Sequence, residues 1–118
     1  MSQSFSELLD WQWSDYSERH RNRNNLLIHI VAVPLFWLGA INFVFPLLFA
    51  GLLYSLSGLV LMALSIFVQG KGHEMEKLPP LAFQGPRDFV RRLLAEQFVT
   101  FPRFVFSGGW YRNLTTAS

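Results

Sequence analysis

At 118 residues the chain has the length of one domain, but its 51% hydrophobic and 16% aromatic content against 15% charged residues departs from soluble globular proteins, in which about a quarter of residues are charged. Its formal net charge is only +2, and its ten Lys and Arg are scattered along the chain, which argues against a nucleic-acid-binding surface. With no cysteine there is no disulfide, zinc–thiolate site or iron–sulfur cluster, so any metal must be held by nitrogen and oxygen ligands.

The N-terminal MSQSFSELLDWQW carries acidic residues and no basic region leading into an apolar core, so it does not read as a cleavable signal peptide. Phe5, Leu8, Leu9, Gln12 and Tyr16 recur at helical spacing, and Ser4 with Glu7 has the form of a capping box. Together they predict an interfacial helix over about residues 4–20.

Between Arg23 and Lys71 there is no Asp, Glu, Lys or Arg, and His29 is the one residue there that protonation would make a cation. That interval is too long for one crossing, since about 20 helical residues span a bilayer, and it predicts two spans within residues 25–69. The connecting turn falls near Asn42–Pro46 or at Ala50-Gly51. Arg19, Arg21 and Arg23 precede the first span, and Lys71, Lys77, Arg87, Arg91 and Arg92 follow the second; both flanks carry the positive excess of a cytoplasmic side.

Beyond Pro79 and Pro80, Pro86 opens a helix with Val90, Leu93, Leu94, Phe98 and Phe101 on one face and Arg91, Arg92 and Glu96 on another. Pro102 is expected to interrupt it, and the aromatic FPRFVFSGGWY segment to anchor in the membrane interface, within a C-terminal interfacial region over about 86–112. The expected architecture is an all-α integral membrane protein, 1–118 forming one domain: a two-span helical hairpin with flanking interfacial amphipathic helices. Both termini are expected in the cytoplasm, at the inner membrane of a bacterium or the endoplasmic reticulum of a eukaryote.

The three histidines lie near span ends: His20 before the first, His29 about a turn inside it, His73 just after the second. A hairpin brings these ends to one membrane depth. On one unbroken helix Asn22, Asn25 and His29 share a face while Tyr16 and His20 occupy a nearly opposite one. His20 joins His29 only if the chain breaks at RNRNN, where Asn24 or Asn25 can cap the membrane helix. Pro34 removes the helical partner of the Ile30 carbonyl beside His29, predicting a kink or a polar contact. Gln69-Gly70-Lys71-Gly72-His73 is expected to end the second helix in a flexible turn, with Glu74 or Glu76 near His73.

The stretch YSERHRNRNNLLIHIVAVP, with Tyr16, His20, Asn22, Asn25, His29 and Pro34, and the stretch QGKGHEMEKLPPL, with Gln69, Gly72, His73, Glu76 and Pro79, resemble two ordered motifs of the 2-hydroxy fatty acid dioxygenase family of fungal fatty acid α-oxidation. The resemblance covers about Tyr16 to Leu81. It implies an Fe2+-dependent membrane enzyme acting on a 2-hydroxy long-chain fatty acid and O2. It makes His20, His29 and His73 candidate iron ligands, Glu76 a fourth ligand or an orienting carboxylate, and Tyr16, Asn22 and Asn25 candidate catalytic residues. Ala32 stands where relatives carry glycine. Three histidines are too few for a histidine-rich di-iron cluster. Lys71, Lys77, Arg19 or Arg23 is available to a substrate carboxylate, besides flanking the spans. Other readings of the same histidines are a haem or electron-transfer protein, a lipid-binding or structural protein, and a metal hydrolase.

Overall fold

Ser4 and Glu7 start the first helix, α1 (Phe5–Ser14), by capping each other: the Glu7 N–H donates to Ser4 Oγ at 3.1 Å and the Ser4 N–H to Glu7 Oε1 at 3.0 Å. The computed structural model describes residues 3–49 and 51–116, and all regular structure among them is helical. α1 ends short of residue 20. Residues 15–19 form turns, so His20 sits on a connector before the next helix.

That next helix, α2 (Arg23–Phe49), is capped by Asn22, whose Oδ1 accepts from the Asn25 N–H at 3.1 Å. Asn24 and Asn25, the expected caps, lie inside it. The cap falls earlier because Glu76 Oε1 accepts from the N–H groups of Arg21 and Asn22, at 2.9 and 3.0 Å, and holds that backbone outside the helix. α2 runs for 27 residues through Pro34 and Pro46, and α3 (Leu52–Glu74) follows for 23 residues. The turn therefore takes the later of its two expected positions; Ala50 lies outside the described residues. Asn42 is not in a turn but donates across to Ser57 Oγ at 2.6 Å. Among the described residues no side chain bonds the Ile30 carbonyl; the extra donors arrive at Ala32, from Ser65 Oγ at 2.5 Å, and at Leu26, from Trp110 Nε1 at 2.8 Å.

α2 and α3 lie antiparallel, with Asn25 against Gly72, Ala32 against Ser65, Gly39 against Gly58, and Phe43 against Ser55. The buried positions of α3 are Ser55, Gly58, Ser65, Gln69 and Gly72, small or amide-bearing residues that let two backbones approach closely and bond to each other. The outer faces are the reverse. Leu48, Leu53 and Val60 are 67%, 82% and 65% exposed. Both helices are long and apolar enough to cross a membrane, with most of that apolar surface directed outward.

A third layer crosses the end of this pair. α4 (Pro86–Ala95) passes through a π turn (Glu96–Thr100) into α5 (Phe101–Phe106), and Gly108, at φ 85°, turns the chain into α6 (Gly109–Thr116). Pro102 does not stop the helix. In the wider turn before it the Phe101 N–H donates to the Glu96 carbonyl, five residues back, which shifts the register before the proline is reached. The same extra residue rotates Phe101 away from Val90, Leu94 and Phe98. These three remain about half exposed, while Phe101 and Phe104 enter a core with Tyr16, Leu26 and Val33. The aromatic segment expected as an interface anchor thus contributes to the core. Arg92 and Ala95, on the opposite face of α4, are buried.

Candidate metal centre

His20, His29 and His73 come from three different elements and meet in one place. Their ring centroids are 4.7–5.1 Å apart and their planes 79–88° from one another. Two of the rings have an assigned hydrogen. His20 Nδ1 donates to the Tyr16 carbonyl at 2.8 Å, and His29 Nδ1 to the Asn25 carbonyl at 3.0 Å. A carbonyl can only accept, so each Nδ1 carries the proton and each Nε2 keeps a lone pair. Those two Nε2 atoms, and Nδ1 of His73, are buried without a hydrogen-bond partner among the described residues.

Glu96 completes the group. Its Oε2 lies 3.5 Å from His20 Nε2, 3.7 Å from His29 Nε2 and 3.9 Å from His73 Nε2, a little more than the roughly 3 Å between atoms that share a first-row metal at bond lengths near 2.1 Å. One ligand atom from each of the four residues lies within 4.8 Å of all the others. Three imidazoles converging on a largely enclosed carboxylate, two of them fixed by a bond at the far side of the ring, are the arrangement a cation needs. The N/O donor set suits iron, zinc, copper or nickel alike. Burial raises the Glu96 carboxyl, but the imidazoles around it, His20 first, outweigh that, so the group is held below the usual carboxylate range and is an anion.

The remaining expected site residues surround this group. Tyr16 donates its hydroxyl to Glu96 Oε2 at 2.7 Å and stacks on His20 with centroids 3.8 Å apart. Burial, followed by the charge of Glu96, raises its phenol well above the ordinary value, so Tyr16 is a proton-bearing donor at neutral pH. Glu76 is not among the four. Besides the two backbone N–H groups it accepts from Asn25 Nδ2 at 2.6 Å, and so fastens the start of α2 to the end of α3. Asn22 and Asn25 belong to this brace: Asn22 caps α2 and donates to the Met75 carbonyl at 3.2 Å, and Asn25 packs on Gly72. α3 stays helical through both glycines to Glu74. Gly72 serves for close approach rather than for a turn, because a Cβ there would collide with Asn25 Oδ1.

By sequence Glu96 falls with Arg91 and Arg92 on the face opposite Val90, Leu94 and Phe98. Nothing in the local pattern marks Glu96 as facing the histidines, because in an amphipathic helix that also carries Arg87, Asp88, Arg91 and Arg92 a further carboxylate is ordinary. Gln97 is also buried, exchanging bonds of 2.8 and 2.9 Å with Gln69, while Trp37 Nε1 donates to its carbonyl at 2.7 Å.

A cleft of about 440 Å³ opens beside the centre, with Tyr16, His20, His73 and Glu96 in its wall, a size within the usual range for small-molecule sites. Of the cations considered for a substrate carboxylate, Arg19 lines it. Lys77 lines a separate polar cleft, Lys71 pairs with Glu74 at 3.6 Å, and Arg23 is exposed. Fold and site define an all-helical protein with two helices apolar enough to span a membrane, and a group of three histidines and one glutamate able to hold a metal ion. No family model, curated protein or solved structure matches the chain.

Proposed function

We propose that this chain is an iron(II)-dependent membrane dioxygenase that converts a 2-hydroxy long-chain fatty acid and O2 to the one-carbon-shorter acid, CO2 and water. In balance, R–CHOH–COOH + O2 gives R–COOH + CO2 + H2O. The observation that carries this reading is the convergence of three imidazoles, two with their tautomers set by backbone carbonyls, with Glu96 at the wall of an apolar cleft. The two-motif resemblance of residues 16–81 supports iron and the hydroxy acid as partners.

In this reading α2 and α3 cross the bilayer as a hairpin with both termini in the cytoplasm. Residues 30–49 of α2 suffice for the hydrocarbon, at about 20 residues and 1.5 Å each. The roughly two turns of helix from Arg23 to His29 then stand in the headgroup layer, under the cap formed by α1, α4 and α5. His20, His29, His73 and Glu96 hold the metal. Bound ferrous iron supplies the redox chemistry that lets O2 react with the hydroxy acid. Tyr16 orients Glu96 through its hydroxyl, and the carbonyls of residues 16 and 25 keep two imidazoles in the coordinating tautomer. The cleft holds the acyl chain and keeps water from the reacting carbon.

Anaerobic metal analysis of detergent-purified wild type and His29→Ala, followed by O2-dependent turnover of 2-hydroxypalmitate with mass detection of product, tests the reading. The expected result is one iron per chain, lost in the variant, with pentadecanoate as product. Metal without oxygen consumption would favour a hydrolase, a Soret band a haem protein, and no metal even after reconstitution a lipid-binding protein.

A further inference from the structure

Two cations stand in the wall of the 440 Å³ cleft, Arg19 and Arg92. Arg19 is neutralised locally: its Nε donates to Asp15 Oδ2 at 2.8 Å and its Nη1 to the Pro79 carbonyl. Arg92 is not matched in this way. It is only 9% exposed, and its guanidinium lies over the rings of Phe83 and Trp11, 4.3 and 5.1 Å from their centroids. Its closest acceptor is a neutral carbonyl, Leu81, at 2.9 Å, with Ala82 at 3.3 Å. Its acidic neighbour, Asp88, stands at 3.4 Å, through an oxygen that already accepts from the Gln84 N–H at 2.9 Å. That separation exceeds the roughly 2.7–2.9 Å of a charge-assisted hydrogen bond. A largely buried guanidinium held mainly by neutral oxygens still favours an anion, and its planar fork suits a carboxylate.

We propose that Arg92 anchors the carboxylate of a single-chain fatty acid in this cleft, with the acyl chain along Ile66, Phe89 and Leu93, an assignment that rests on the fatty-acid reading of the same site. Ile66 belongs to α3, one of the two helices suited to a membrane, so one wall of the cleft is continuous with the apolar face from which a lipid would come. Arg92 precedes Glu96 by one turn of helix, about 6 Å along its axis. An acid held there lies with its first carbons toward the metal-binding group. The sequence offers Lys71, Lys77, Arg19 or Arg23 for this role. Arg92 reads as one more positive charge on an amphipathic surface helix, and only its own burial, beside exposed Arg87 and half-buried Arg91, sets it apart.

The test is equilibrium binding to metal-free, EDTA-treated full-length protein in a non-ionic detergent, read by displacement of fluorescent cis-parinaric acid. Two competitors differ only in the headgroup: 2-hydroxypalmitate and 1,2-hexadecanediol. Wild type is expected to favour the acid by about tenfold or more, as one desolvated charged contact implies. Arg92→Gln should remove that preference by weakening the acid alone, and Arg92→Lys should restore part of it. Equal loss of acid and diol in Arg92→Gln would reduce Arg92 to a staple for the Leu81–Ala82 backbone and overturn the proposal. So would a preference that survives Arg92→Gln and disappears in Arg19→Gln, or hexadecyl phosphate displacing the probe more strongly than the acid, which would make the cleft a phospholipid-headgroup site. If Arg92→Gln does not fold, wild type decides: no preference for acid over diol overturns the anchor. Because neither metal nor O2 is present, acid-selective binding without turnover in the iron-loaded protein would sink the dioxygenase and leave the anchor standing.

Discussion

His20 and His29 are set by what lies behind them as much as by what they face. Tyr16 contributes twice: its carbonyl fixes the His20 tautomer and its hydroxyl bonds Glu96. Tyr16→Phe keeps the carbonyl and the stack on His20 and removes only the hydroxyl. It is therefore expected to lower metal affinity by about tenfold to a hundredfold, as loss of a ligand-orienting partner does, with little change in melting temperature; titration with Co2+ followed by absorbance would read the affinity. Glu76→Ala should do the opposite. It strips an acceptor from two backbone N–H groups and from buried Asn25, and is expected to cost about 3 kcal/mol of stability, given that hydrogen bonds to charged groups contribute roughly 1.5–3 kcal/mol each and orphaned donors cost a similar amount. Thermal or denaturant unfolding of the apo-protein checks it. Comparable loss of cobalt affinity in Glu76→Gln and Glu96→Gln would contradict the separation of brace from ligand.

Among the elements, the α2–α3 pair depends on positions without side chains. A Cβ on Gly58 would fall 2.5 Å from the Gly39 carbonyl oxygen and closer still to the Phe43 amide nitrogen, both backbone atoms that cannot rotate away. Gly58→Ala is expected to separate the helices at mid-length and destabilise the fold by about 1–3 kcal/mol, the usual cost of overpacking. Gly70→Ala, with nothing within 4 Å of the added carbon, should be neutral or slightly stabilising through helix propensity. Melting temperatures of the two variants give the comparison, and an unchanged value for Gly58→Ala would refute the close approach. The π turn plays a corresponding part in the cap layer: it lets one continuous helix direct Glu96 to the histidines, Gln97 to Gln69, and Phe101 to the core.

At the scale of the molecule, the outward faces of α2 and α3 are large apolar side chains with no protein partner among the described residues, and the polar groups collect at one end. If a bilayer covers those faces, single cysteines at Ser4 and Thr115 should react with an impermeant maleimide from one side of sealed vesicles, and one at Leu53 from the other. Labelling of Leu53 and Ser4 from the same side would rule out the crossing. Much of this arrangement was legible in the residues. The uncharged run between Arg23 and Lys71 marked two apolar helices because charge within such a segment is costly, the Ser4–Glu7 box marked a helix start because its geometry is local, and the spacing of His20, His29 and His73 around those helices marked a shared site. What depended on contacts distant in sequence was not legible. Whether Asn22 or Asn24 caps α2 is decided by Glu76, more than fifty residues away. Which carboxylate faces the histidines depends on how the π turn that carries Glu96 packs against α1 and α2, and its extra residue rotates everything after it. Composition and periodicity determine what each segment is because they reflect a segment's own exchange with its solvent; tertiary structure alone decided that Glu96 joins the histidines, that Glu76 braces the helices, and that Arg92 faces inward, because each of these is a choice among partners that only the packed chain supplies.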